Sequence, residues 1–242
     1  MMLRVLQVEV FKLRRSLAFP LLLVVPALLG ILSFVIGFAA PKPPVWSTLF
    51  HDLILPLWAL FLLPMSLAAF STLVGQIEYR NRGWDHVLTL PIPRWQIFLA
   101  KALLVVASAY LMTVLVIPMV VLGGLTSTSV FETSIGGELP GAQLVETMLE
   151  LATSASAMAV LQTWAALRFP SFVAPIALGM SGTLVNLAAT IARTNKADWI
   201  PWMMPVRVAQ DVHSSHYAAV GAAIACASLV MMLGSLDRHK FK

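Results

Sequence analysis

Residues 17–38 read LAFPLLLVVPALLGILSFVIGF, a run without one Asp, Glu, Lys, Arg or His. A bilayer core of ~30 Å is crossed by about 20 apolar helical residues, because only a closed backbone hydrogen-bond ladder is stable in hydrocarbon. Four more runs meet the same test: Leu53–Val74, Ala102–Leu122, Phe172–Ala192 and Tyr217–Leu236. A sixth, Leu151–Leu167, is shorter and carries Thr153, Ser154, Ser156, Gln162 and Thr163. Its length and polarity place the helix start earlier, near Val145. The first run has a basic leader, yet it is longer than the 7–15 residues of a signal-peptide core, so it reads as a retained span. The expectation is an all-α, six-helix polytopic membrane protein.

Composition agrees. Of 242 residues, 59% are hydrophobic and 11% charged, and the mean hydropathy is +0.86. A soluble domain carries about 25% charge to keep its surface wet. The net charge of +5 does not indicate nucleic acid, because the cations flank apolar runs and form no stripe. Lys and Arg in that position orient the spans. With the N-terminus inside, twelve of the sixteen basic residues fall on the cytoplasmic side, which predicts N-in and C-in. Residues 1–242 then form one transmembrane domain, with a leader at 1–16, an inner loop at 76–101 and an outer interfacial segment at 193–216. In the leader, Met2, Leu3, Leu6, Val10 and Leu13 share a helical face, which predicts an amphipathic helix lying among the headgroups of membrane lipid. Trp199, Pro201, Trp202 and Pro205 predict short interfacial or re-entrant helices between the last two spans. Small residues such as Gly179, Gly182, Gly221 and Ala225 predict close helix packing, within the chain or against a second subunit.

Catalytic chemistry is mostly missing. None of the six lysines precedes a Ser or Thr, so no P-loop can form, and ATP, if it drives the protein, binds another chain. His213 and His216 lack the further ligands of a metal site. Gly179-Met180-Ser181-Gly182 resembles the GxSG motif of rhomboid proteases, but Ser181 lies mid-helix, too deep for His216 to act as its base. Cys226 stands alone, so no disulfide forms. Five of the spans contain no carboxylate, His or Lys, which argues against an ion-coupled carrier. Glu150, Gln162 and Asn186 are the polar candidates for lining a pathway, against plain roles as a solvated helix start and interhelical hydrogen-bonders.

The inner loop carries the strongest functional signal. Glu78 and Arg82 stand four apart, Trp84, Val87 and Leu88 follow, and Leu90-Pro91-Ile92-Pro93-Arg94 is a rigid stop. A short amphipathic helix ended by proline leaves apolar groups that enter either the interface or a groove on a partner. Together with the leader ending Lys12-Leu13-Arg14-Arg15-Ser16, Gly83-Trp84, Lys101 and the broken segment between helices 5 and 6, the chain resembles the ABC-2 type permeases. The likeness is to the small six-helix subunits of bacitracin and lantibiotic (peptide antibiotic) exporters, and it spans the chain in layout. It implies a bacterial plasma (inner) membrane subunit of an ATP-binding cassette exporter for hydrophobic or amphipathic cargo (peptide antibiotic, drug or lipid-like), without catalytic residues or a cofactor of its own. A separate ATPase subunit would hold ATP and magnesium and dock on this loop. A second permease subunit would complete a homo- or heterodimer. Glu78, Trp84, Leu88, Leu90, Pro91 and Arg94 would be the coupling residues. Two other readings stand beside it: a non-transporting assembly or sensory subunit, and the intramembrane hydrolase set aside above.

Overall fold

The computed structural model describes residues 2–40, 44–80, 83–87, 89, 91–131, 135–194, 196–210 and 215–237, with His86 by its backbone alone. Its elements are α1 (Met2–Arg14), α2 (Ala18–Ala39), α3 (Trp46–Arg80), α4 (Gly83–Val87), α5 (Arg94–Phe131), α6 (Gly141–Arg168), α7 (Val173–Ile191), α8 (Met203–Gln210) and α9 (Ser215–Asp237). Six of them, α2, α3, α5, α6, α7 and α9, are long and apolar enough to cross a membrane. Among the described residues the only strand-like feature is an isolated parallel bridge between Val45 and Gly136, which ties together the loops after α2 and after α5.

Helix lengths depart from the ion-free runs. The third span is expected over Ala102–Leu122 but α5 runs for 38 residues, about 57 Å at 1.5 Å per residue, well beyond the ~30 Å core. At its start, charge at Arg94 and Lys101 marks where lipid ends, and the helix extends across it; at its other end it runs on through the uncharged residues 123–131. The loop expected over residues 76–101 shrinks accordingly: 76–80 complete α3, and 94–101 open α5. The second span likewise begins at Trp46 rather than Leu53. It passes through two π-helical stretches, Leu49–Ile54 and Trp58–Leu62, close to Pro56 and Pro64, where the missing N–H groups break the regular ladder.

The fourth span corrects its expected start near Val145. It begins at Gly141 and extends for 28 residues. It is also the span most enclosed by protein, with Ser154, Ser156, Gln162 and Thr163 all buried. The polar residues that weakened its sequence signal face neighbouring helices, where lipid hydropathy does not apply. Around it pack α3, α5, α7, α8 and α9. α2 lies against α5 so closely that a Cβ on Gly123 would collide with the Gly30 carbonyl oxygen. In lipid such backbone approach is a main source of helix adhesion. The lipid-directed faces are apolar, as at Ile31 on α2, Leu184 on α7 and Val230 on α9, all exposed.

The leader helix forms, but its protein-facing side is Val5, Glu9 and Leu13, while Leu3, Val8, Val10 and Phe11 are exposed. The buried row follows the i, i+4, i+8 line. Glu9 can lie on it because other chain segments supply its counter-charges. In the outer segment, α8 buries Met203, Met204, Pro205, Val206 and Val208. Asp198 accepts from Arg207 at 2.8 Å and from the Tyr217 hydroxyl at 3.3 Å, which fastens this segment to α9.

Candidate functional site

The charged side chains converge where α1 meets the end of α3 and the start of α5. Lys12 Nζ donates to Glu9 Oε1 and Glu78 Oε1, both at 2.7 Å. Lys101 Nζ donates to Glu9 Oε2 at 2.5 Å and to Glu78 Oε1 at 3.1 Å. Two carboxylates and two ammoniums thus close a ring of zero net charge. Lys101 is fully buried, and Glu9 and Glu78 are 4% exposed. An unpaired charge so placed would be very costly, and mutual pairing offsets that cost only while every member is present. Burial alone would lower the pKa of Lys12, but Glu9 and Glu78 outweigh it and hold the ammonium above the ordinary lysine value. Its stabilising contribution is therefore intact at neutral pH and is lost only as pH rises through that raised value.

Sequence reading had Glu78 and Lys101 near the loop but missed Glu9. The usable signal was that Glu9 is the sole acid in residues 1–51, three positions before Lys12. Its partner on α5 lies 92 residues away, beyond any local pattern.

The inner loop is built against this ring. A Cβ at Gly83 would fall 2.6 Å from Glu78 Oε2, so glycine lets α4 start beside the carboxylate without displacing it. The next residue, Trp84, is 4% exposed. Its ring lies between Tyr79 and Phe98, with centroids at 5.8 and 6.0 Å. Trp84 and Glu78 therefore sit behind the loop surface, inside this chain's own packing. Val87 and Ile92 pack against Val5, Ile97 and Ala100, joining the loop to α1 and α5. Pro91, Pro93 and Arg94 are exposed, and Trp95 beside them is 46% exposed. Trp95 is the outward aromatic that the sequence reading, ending its motif at Arg94, passed over. Leu88 and Leu90 lie outside the described residues. The end of α3 is also tied to the junction of α6 and α7, by Tyr79 hydroxyl to Leu167 carbonyl at 2.6 Å and Gln76 Nε2 to Pro170 carbonyl at 3.0 Å.

The three pathway candidates do not come together. With its amide oriented to satisfy both neighbours, Gln162 donates to the Pro175 carbonyl and accepts from the Gly179 N–H, each at 3.1 Å. Those two backbone groups stand four residues apart, so Gln162 bridges one turn of α7. Asn186 is buried and donates to the Trp202 carbonyl at 2.9 Å, holding the outer segment against α7. Glu150 is half-buried on α6, twelve residues from Gln162 and so about 18 Å along the helix. Ser181 donates to its own Leu178 carbonyl at 3.0 Å, and Gly179 and Gly182 are close-packing positions against Ala68 and Trp202. His213 lies outside the described residues, and His216 is exposed beside Tyr217. Among the described residues no three His, Cys, Asp or Glu side chains gather into a metal-binding group.

Comparison with known proteins adds one positive result. A family model described as ABC-2 family transporter protein matches residues 5–186, which includes most of α1, the ionic ring, the inner loop and most of α7. No curated protein and no solved structure matches the chain. Six membrane-length helices and a match over most of the sequence lead to one assignment: the chain belongs to the ABC-2 family of membrane transporter proteins.

Proposed function

We propose that the chain is the membrane-spanning subunit of an ATP-driven exporter of hydrophobic or amphipathic cargo, such as a peptide antibiotic, drug or lipid-like molecule. In this reading it lies in a bacterial plasma membrane with both termini inside, pairs with a second permease subunit, and takes its energy from a separate ATPase subunit carrying ATP and magnesium. The observation that supports it best is the construction of the inner loop. Pro91, Pro93, Arg94 and Trp95 form an exposed, stiff rim. Ile92, within the rim, and Val87 pack against Val5 of α1 and Ile97 and Ala100 of α5, and the ring of Glu9, Lys12, Glu78 and Lys101 fastens α1, α3 and α5 to one another. A push on the rim reaches three helices through buried, stiff contacts, which is what a coupling element requires. Glu78 and Trp84 act in this scheme as positioning residues, and Pro91, Arg94 and Trp95 as the contact surface. The purified chain should hydrolyse no ATP alone, and hydrolysis that responds to cargo should appear when a P-loop ATPase subunit is added. Robust hydrolysis by the chain freed of contaminants would sink the proposal.

A further inference from the structure

A cavity of about 470 Å³ opens between the α1–α2 turn and the last turns of α3. Its cations are Lys12, Arg15 and Arg80, and its apolar wall is Leu17, Leu73 and Ile77. Among the described residues no carboxylate lines it. Lys12 already serves the ionic ring. Arg15 and Arg80 are exposed, and neither forms an ion pair with a described carboxylate. The site thus presents two guanidinium forks over a hydrophobic wall.

We infer that this cavity binds an anionic phospholipid, its phosphodiester on Arg15 and Arg80 and its acyl chain along Leu17, Leu73 and Ile77. Guanidinium groups match phosphate oxygens in bidentate geometry, and basic pockets between membrane helices are suited to anionic headgroups. The level is right. The exposed Leu3, Val8, Val10 and Phe11 place α1 at the headgroup boundary. The apolar wall also opens outward at Leu17, which is exposed. A water-soluble phosphate would satisfy the arginines but leave that wall wet. The inference rests on the membrane placement of the chain, and it holds whether or not an ATPase partner exists.

The test is native mass spectrometry of the full chain in neutral detergent, titrated with phosphatidylglycerol and with phosphatidylcholine of identical chains. The chain should retain phosphatidylglycerol preferentially. Arg15→Gln with Arg80→Gln should weaken that binding roughly thirtyfold, at about fivefold per basic residue. Arg4→Gln with Arg14→Gln, equal in charge but outside this cavity, should leave the preference in place. Inorganic phosphate should not displace the lipid. A photoactivatable phosphatidylglycerol should label the unmodified chain around Leu17 and Leu73, which checks the site without any variant. Equal retention of the two lipids, an equal loss from the Arg4/Arg14 pair, displacement by inorganic phosphate, or labelling spread evenly over the spans would each overturn the assignment.

Discussion

Replacing Lys101 with Met keeps most of the side-chain volume and removes one cation from a ring that is otherwise neutral. Lys101 is fully buried and holds Glu9 Oε2 at 2.5 Å and Glu78 Oε1 at 3.1 Å. Each contact is worth about 4 kcal/mol at an effective dielectric near 20 and charge separations near 4 Å. Against this, removing the ammonium recovers its own desolvation cost, which is also several kcal/mol. The net expectation is a loss of about 3–5 kcal/mol, because two carboxylates then share Lys12 alone. Adding Glu9→Gln restores neutrality, since the Lys12–Glu78 contact at 2.7 Å survives. The double variant should therefore recover about 2 kcal/mol or more relative to the sum of the single changes. Unfolding in detergent, read by denaturant midpoints for the four members of the cycle, measures this coupling. Strict additivity, or a Lys101→Met cost under about 0.5 kcal/mol, would refute a ring acting as a unit.

Trp84→Ala should cost about 3–5 kcal/mol of stability, because it empties a buried site between Tyr79 and Phe98; a thermal midpoint close to the unaltered chain would place Trp84 at the surface instead. Gly123→Ala should destabilise by about 1–3 kcal/mol, since its methyl group would overlap the Gly30 carbonyl and force α2 from α5, and unfolding midpoints would register it. For topology, Ser47→Cys and Asp198→Cys, in a background lacking Cys226, should react with an impermeant reagent added outside sealed cells. Asn81→Cys should be protected there; its external labelling would reverse the orientation.

The membrane architecture was legible because the solvent writes it into the sequence. Lipid tolerates no unpaired charge, so ion-free runs mark five spans directly. The same rule fails once a helix leaves lipid or is wrapped in protein. α5 begins before its ion-free stretch, at Arg94, and the polar row on α6 reflects burial against other helices. The site was half legible. Charge spacing and the proline stop located the loop, yet the direction each side chain takes depends on residues far along the chain. Trp84 read as an outward anchor, but Tyr79 and Phe98, from two different spans, cover it. Glu9 was passed over in the leader helix, and its meeting with Lys101 makes it structural.

The central claim is that the rim of the inner loop joins this chain to an ATPase subunit. Arg94→Glu with Trp95→Ala alters two exposed side chains and leaves Trp84 and the ionic ring untouched. An anchor at such a contact is worth about 2 kcal/mol or more, so affinity should fall about thirtyfold or beyond. Copurification of the chain with a P-loop ATPase encoded beside it, together with cargo-stimulated hydrolysis, measures this directly. The account predicts a complex for the unaltered chain, and for the variant a correctly inserted, stable chain that releases the ATPase or leaves its hydrolysis unresponsive to cargo. A variant that copurifies normally and transports at the unaltered rate would contradict it.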